Sequence, residues 1–478
     1  MRSVCWVLAA AAAAGVFCGP AHCETANALF VADGRCFAGS ASGAVSMVVE
    51  RIESDGAAAQ LLVAEAESGL AAAPVDHYRF RSCDPPYFAW RPDALAPGSL
   101  RVTAIDVESG AVIGRALRVP SARGDIWALH VGPVLGEPGH YESYPTAMVE
   151  ENGAHRMWLA GSWAGDAIFA ATGVDPARWF YVEGTEMRGP EGVPRHPVLA
   201  PTRPPMGIAE PPFGYAHGWY SDLDPSGGED GLHAADPSVV RVPPRTPGER
   251  PFYLMYYTGW EGEGDRDANT ILCARSTDAG ITWEKLGVAL RPLRPDPSQY
   301  GAGQSSVVLR DEDGDGSLDL VHFFTDTTVG QPCIAIADPY GDPLSFHRVG
   351  ETGALSNLGN YTWDMKWAAG LSAYIGVVAI NGPPGAVMVA FSADGVDWAG
   401  DQAYIPLDLL IDDPGALSCN NGGILGTPLG WLPDDPLAES PDEAHAIYYY
   451  GGGESMQWDG GDRSWDIHAM ELWLRPSR

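Results

Sequence analysis

The carboxylates that could do chemistry in this 478-residue chain stand at or just before the starts of short apolar runs. Asp236 opens Asp236-Pro237-Ser238-Val239-Val240, and Asp364 opens Asp364-Met365-Lys366-Trp367. Glu142 comes two residues before the run from Tyr144 to Val149, while Gln304 and Asn421 begin two further runs. Trp163, Trp260, Glu261, Asp326, Glu454 and Trp458 fall in loops or at strand ends on the same side of the same pattern. Carboxylates bind hydroxyls or move protons, and indole rings stack on sugar rings, so the set suits a carbohydrate. Asp236, Glu142 and Asp364 are the catalytic candidates. Trp163, Trp219, Trp260, Trp458 and Gln304 are the substrate-binding ones. Each acid also has a plainer reading, because Asp before Pro caps turns and loop Glu residues are mostly solvated.

The elements that must position these residues are β-strands. Residues 236–290 hold four β-type runs: Asp236 to Val240, Pro251 to Trp260, Thr270 to Ser276 and Trp283 to Leu290. They are rich in aromatic and branched residues and divided by Gly, Pro and Asp. Four antiparallel strands with tight links make one propeller blade. The theme recurs with Tyr144–Trp179, Gln304–Phe346, Asp364–Trp398 and Asn421–Leu474, which predicts a five-bladed β-propeller over 121–478. A Pro- and Gly-dense insertion, about 184–235, carries His217, Trp219, Tyr220, Asp222, Asp224, Asp230 and His233 and reads as an ordered loop covering the site.

Ahead of the propeller, residues 24–120 alternate apolar and polar in Ala44–Ile52 and Gln60–Ala66. A hairpin follows from Leu100 to Val119 across Glu108-Ser109-Gly110. This predicts an immunoglobulin-like β-sandwich, so the fold class is all-β throughout. Residues 1–23, with Arg2 and an apolar stretch from Val4 to Phe17, read as a secretory signal. The chain is thus expected to be exported, without a transmembrane segment, and monomeric. In an oxidising compartment Cys36 and Cys83 are the expected disulfide; Cys273 and Cys333 lie in apolar strands as inert thiols. The formal net charge of −33, with lysine only at Lys285 and Lys366, excludes non-specific binding to nucleic acid or anionic membrane.

Two motifs are architectural. Ser276-Thr277-Asp278-Ala279-Gly280-Ile281-Thr282-Trp283 is an Asp-box, shortened in Ser392–Trp398, with side chains holding a turn and Trp packing beneath. Asp311, Asp313, Asp315 and Asp319 alternate with Gly314 and Gly316, as in calcium loops; a solvated acidic hairpin is the other reading. Any calcium there would be structural.

The run Asp-Pro-Ser-Val-Val, then Phe-Tyr-Leu-Met-Tyr-Tyr-Thr-Gly, then the Asp-box, resembles the blade pattern of the arabinanase, invertase and levansucrase superfamily, nearest to glycoside hydrolase family 43. The resemblance covers residues 121–478. It implies a base Asp starting blade one, a pKa-tuning Asp starting blade two, and a Glu acid in blade three, with inversion at the anomeric carbon. Asp236 matches the blade-two residue, whereas Tyr144 and Gln304 depart from the other two positions. Glu142, Asp364 and Glu454 are the alternative acids and bases. The family's central metal would draw on His217, His233 or His322. The reading is an exported glycoside hydrolase-like protein acting on polysaccharide or oligosaccharide. The rival readings are a non-catalytic glycan-binding or scaffold propeller and a calcium-stabilised protein-interaction propeller.

Overall fold

The structure is a computed structural model. It describes residues 28–32, 36–40, 44–53, 57–70, 87–90, 98–121, 123–136, 141–162, 166–182, 197–201, 230, 233–260, 269–294, 296, 298–359, 361–382, 384–398, 400, 402–411, 418–434, 443–453 and 465–476. The expected all-β class holds: the described chain has 28 strands and one 3-10 turn, Leu407–Leu409. The signal stretch, Trp163, Trp219, Trp458, Glu261, Glu454, His217 and Cys83 lie outside the described residues, as does the side chain of Cys36.

The N-terminal part supplies β1 (Ala28–Ala32), β2 (Cys36–Ser40), β3 (Val45–Ile52), β4 (Ala58–Glu65), β5 (Glu67–Leu70), β6 (Tyr87–Trp90), β7 (Leu100–Asp106) and β8 (Val112–Ser121). One sheet runs β1-β2-β6-β5; the other strands run β4-β3-β7-β8. The hairpin read from the sequence is β7–β8, with Leu100 opposite Arg118, and Asp106 holds its turn by accepting from Ser109 N and Oγ at 2.7 Å. Then β8 folds straight back into β9 (Gly124–Leu135), so the sheet runs unbroken across residue 121.

Four antiparallel meanders follow in chain order. They are β10 (Tyr141–Val149), β11 (His155–Ser162), β12 (Asp166–Asp175) and β13 (Arg178–Tyr181); β14 (His233–Val242), β15 (Phe252–Trp260), β16 (Thr270–Ser276) and β17 (Glu284–Leu290); β18 (Ala302–Arg310), β19 (Asp319–Asp326), β20 (Gln331–Ala337) and β21 (His347–Arg348); and β22 (Asp364–Ala368), β23 (Ala373–Ile380), β24 (Ala386–Ser392) and β25 (Ala403–Pro406). The chain ends with β26 (Ser418–Gly426), β27 (Ala444–Gly453) and β28 (Trp465–Pro476), whose fourth strand is β9. The first strands touch in a closed cycle, β10 to β14 to β18 to β22 to β26 and back to β10. The last step is a parallel pairing, with Ala147 opposite Leu425 and Met148 opposite Gly426.

Apolar layers fill the spaces between neighbouring sheets. Trp158, Met255, Tyr257 and Leu272 pack between the first two meanders, and each such burial contributes about 1.5–3 kcal/mol. The Asp-boxes lock these layers. Asp278 accepts from Thr282 N at 3.0 Å and Thr282 Oγ1 at 2.6 Å, and Asp394 accepts from Val396 N and Asp397 N at 2.9 Å. Trp158 of the preceding sheet donates to Gly280 O at 2.9 Å. A Cβ on Gly280 would lie 2.3 Å from that indole.

The far end of the ring is crossed by the turn after β26. Arg241 N donates to Pro428 O, Leu309 N to Leu429 O, and Trp431 Nε1 to Leu309 O, each at 2.8 Å. Trp367 N and O bond Gly430 and Leu432. One turn therefore ties the ends of β14, β18 and β22. Gly430 adopts φ 74°, and a Cβ there would stand 2.6 Å from Val307 O. Gly430→Ala is expected to cost about 1–3 kcal/mol in urea unfolding. Unchanged stability would contradict this seat for the turn.

Candidate functional site

The site is built from equivalent positions near the starts of the first strands. In β10, β14 and β18 the register slips between Ser143 and Thr146, Ala235 and Ser238, and Gly303 and Ser306. The residues at those bulges, Tyr144, Asp236 and Gln304, all have left-handed φ of 51–59°. In β26 the slip falls at Asn421. Four of the five expected strand starts are thus in register. Tyr144 and Gln304 stand in their own sheets where Asp236 stands in its sheet.

Asp364 stands at a different register position. Ser238 Oγ accepts from Val307 N at 3.0 Å, Ser306 Oγ accepts from Met365 N at 2.8 Å, and Asp364 Oδ2 accepts from Ile424 N at 2.5 Å. Each step ties one first strand to the next, so Asp364 occupies the position of Ser238 and Ser306, two residues further along than Asp236. Its carboxylate is buried and also takes Lys366 Nζ at 2.8 and 2.9 Å and Ser306 Oγ at 2.5 Å. A carboxylate paired to a buried ammonium and stapled to two neighbouring strands is a structural hub.

Asp236 is buried to 6 % exposure. Thr258 Oγ1 donates to its Oδ2 at 2.8 Å and Tyr300 OH donates to the same oxygen at 3.1 Å. Gln304 N donates to Thr258 Oγ1 at 2.8 Å, which links two of the bulged positions through one hydroxyl. Sequence reasoning missed Thr258 and Tyr300. A single Thr in a strand and a single Tyr in a loop carry no motif; the pairing of β14 with β15 brings Thr258 to Asp236, and the loop entering β18 brings Tyr300.

Glu142 lies at the seam of the ring, next to the bridge of Tyr141 with Trp465 of β28. It is fully buried. Tyr181 OH donates to Oε1, while Oε2 is buried with no hydrogen-bond partner. Burial, with the Asp466 charge adding to it and Tyr181 opposing it, pushes its carboxyl up to about 8. The raised value favours the protonated form of Glu142 at neutral pH.

The remaining candidates are dispersed. Gln304 is half-buried beside Thr258, and Trp260 ends β15 opposite His233. Asp326 is buried and holds Arg348 Nη2 at 2.7 Å and Leu293 N at 2.9 Å, which makes it a brace between loops. His322 sits inside the apolar layer between the second and third meanders, against Tyr256, Phe324 and Phe346, and burial drives its pKa down to about 3. Asp230, from the long insertion, accepts from Tyr257 OH at 2.9 Å and pairs with Lys285. Asp311, Asp313 and Asp315 bring carboxylate oxygens within 4.8 Å of one another in the β18–β19 turn, and their charges contribute to raising the pKa of Asp319, after burial. This oxygen-only donor set fits a hard divalent cation. Cys273, Cys333 and Cys419 are buried thiols, each pushed up to about 12 by burial.

No protein-family model and no curated protein matches the chain. Among solved structures it is similar to a family 117 glycoside hydrolase from the marine bacterium Zobellia galactanivorans, at 10 % identity and TM-score 0.44 over 72 % of this chain and 90 % of that one. An α-L-arabinofuranosidase from Podospora anserina, in complex with cellotriose, matches at 14 % identity and TM-score 0.42 over 73 % and 96 %. The Aleuria aurantia lectin matches at 10 % identity and TM-score 0.31 over 77 % and 90 %. At these scores the likenesses settle neither family nor activity.

The Glu142 seam has a pH signature. The unfolded carboxyl ionises near its ordinary value of 4.5 and the folded one near 8, so between them the folded state holds the extra proton. Stability then falls as pH rises through that window, by on the order of 1.4 kcal/mol per pH unit. Denaturant midpoints across pH 4.5–9 are expected to show this slope in the wild type and to lose it in Glu142→Gln. Parallel curves would contradict it.

Proposed function

We propose that the ring is a five-bladed β-propeller with a carbohydrate site at the mouth where the first strands begin, and that the protein is an exported glycoside hydrolase acting on polysaccharide or oligosaccharide. The observation that carries this reading is the strain at the mouth. Of six non-glycine residues with left-handed backbone among those described, three, Tyr144, Asp236 and Gln304, stand at equivalent positions around it. Such conformations cost about 1–3 kcal/mol each and persist where function needs them. A second support is the contrast between two carboxyls. Hydrolysis needs one ionised and one protonated, and environments that push their pKa values apart assign the roles. Asp236, with its two hydroxyl donors, would orient or activate water at the anomeric carbon. Glu142, neutral at pH 7, would protonate the leaving oxygen. Reaching it requires the seam around Tyr181 to open to the mouth.

In this reading the two N-terminal sheets form an immunoglobulin-like accessory domain, and the Asp311–Asp319 loop holds a structural calcium ion. Asp236→Asn is expected to fold normally and to lose at least about 100-fold in product release from arabinan, xylan, fructan or marine galactan oligosaccharides. Full turnover in that variant would misplace the site. Calcium is expected to raise the melting temperature of chelator-treated protein, and Asp313→Ala to abolish the rise; a melting temperature indifferent to calcium would remove the ion.

A non-catalytic glycan-binding propeller is the second reading. It is favoured by Tyr144 and Gln304 standing where carboxylates are expected from the resemblance, and by the neutralisation of Asp364 by Lys366. Sugar binding without turnover of any of these substrates would establish it.

A further inference from the structure

The loop entering β18 is pinned where it passes the mouth. Asn269 N donates to Tyr300 O at 2.8 Å and Ala302 N donates to Asn269 O at 3.0 Å, which seats Gly301 beside Asn269 as a parallel bridge. Gly301 N donates to Thr327 Oγ1 at 3.0 Å on the other side. The backbone of Tyr300 is therefore fixed to two sheets. Its hydroxyl reaches Asp236, yet its side chain remains 37 % exposed. Gly303 makes the approach possible, since a Cβ there would lie 2.6 Å from Tyr300 OH and 2.7 Å from Thr258 Oγ1.

The hydrogen-bond directions follow from the donors. Gln304 N has only a proton to give, so Thr258 Oγ1 accepts it and turns its own proton to Asp236. Asp236 Oδ2 thus receives two O–H donors, an environment that favours the ionised carboxylate. A pinned, part-exposed phenol ring beside the Asp236 carboxyl presents an apolar face to sugar C–H groups and a polar tip to that carboxyl.

The geometry assigns Tyr300 two roles: its ring is a wall of the sugar site, and its hydroxyl is a positioning group for Asp236. This assignment rests on the carbohydrate reading of the mouth. The test compares full-length wild type, Tyr300→Phe and Tyr300→Ala on arabino-, xylo-, fructo- and galacto-oligosaccharides. It adds a sugar-independent measurement, the carbon-13 NMR titration of the Asp236 carboxyl. Tyr300→Phe keeps the ring, so KM is expected to stay within about 2-fold while kcat falls about 10-fold and the acid limb of the pH profile moves up. The Asp236 titration moves up with it, because one donor to the ionised form is gone. Tyr300→Ala is expected to raise KM about 10-fold in addition. An active wild type whose KM, acid limb and Asp236 titration are unmoved in both variants overturns the assignment and leaves the carbohydrate reading standing. A wild type that neither turns over nor binds any of these sugars overturns the carbohydrate reading and the ring's role with it.

Discussion

A ring of sheets survives only if its ends are joined, and here one strand, β9, supplies the outer edge of the closing sheet. It precedes the first meander in the chain and pairs along β28 at the other end, from Gly124 opposite Pro476 to Leu135 opposite Ile467. Beside it, β10 pairs in parallel with β26. The two ends of the ring therefore carry each other, and the N-terminal sheet is fused to the ring because β8 and β9 form one hairpin. Closure by strands distant in sequence pays its loop entropy before the contacts reward it, which ties folding of the mouth to completion of the whole ring.

Inside that ring the polar groups divide by depth. At the mouth, Asp236, Thr258 and Tyr300 share one hydrogen-bonded group. One layer deeper, Asp364, Lys366, Ser306 and the amide of Ile424 form a satisfied buried cluster, and the turn from Thr427 to Leu432 covers the far end. A buried ion pair adds little net stability by itself, but losing one member leaves an uncompensated charge, so such pairs fix one arrangement of the strands. The satisfied ion-pair cluster thus begins just below Asp236.

Much of the fold was legible because it is written locally. The four-run meanders, the Asp-boxes and the β7–β8 hairpin depend on alternation and turn residues a few positions apart. The position of Asp364 was not, because β22 lacks the bulge of β14 and β18, and a bulge leaves no trace in apolar periodicity. Counting from the start of the run therefore landed two residues off. β9 was unreadable for another reason: its partner β28 lies more than 300 residues away in the chain. The sequence offered Asp236 and Glu142 as candidates but could say nothing of the hydroxyls around one or the burial that raises the pKa of the other. Those are properties of strand pairing across sheets, and Tyr300 and Thr258 acquire meaning only there.

In the function we propose, a sugar is held at the mouth against Asp236. The most direct measurement is a crystal structure of the Asp236→Asn variant soaked with the oligosaccharide the protein binds best. A sugar ring lying on Tyr300 with a hydroxyl, or the attacking water, at residue 236 is the expected result. A sugar bound only on the outer sheets or on the N-terminal strands, with the mouth unchanged, would contradict it.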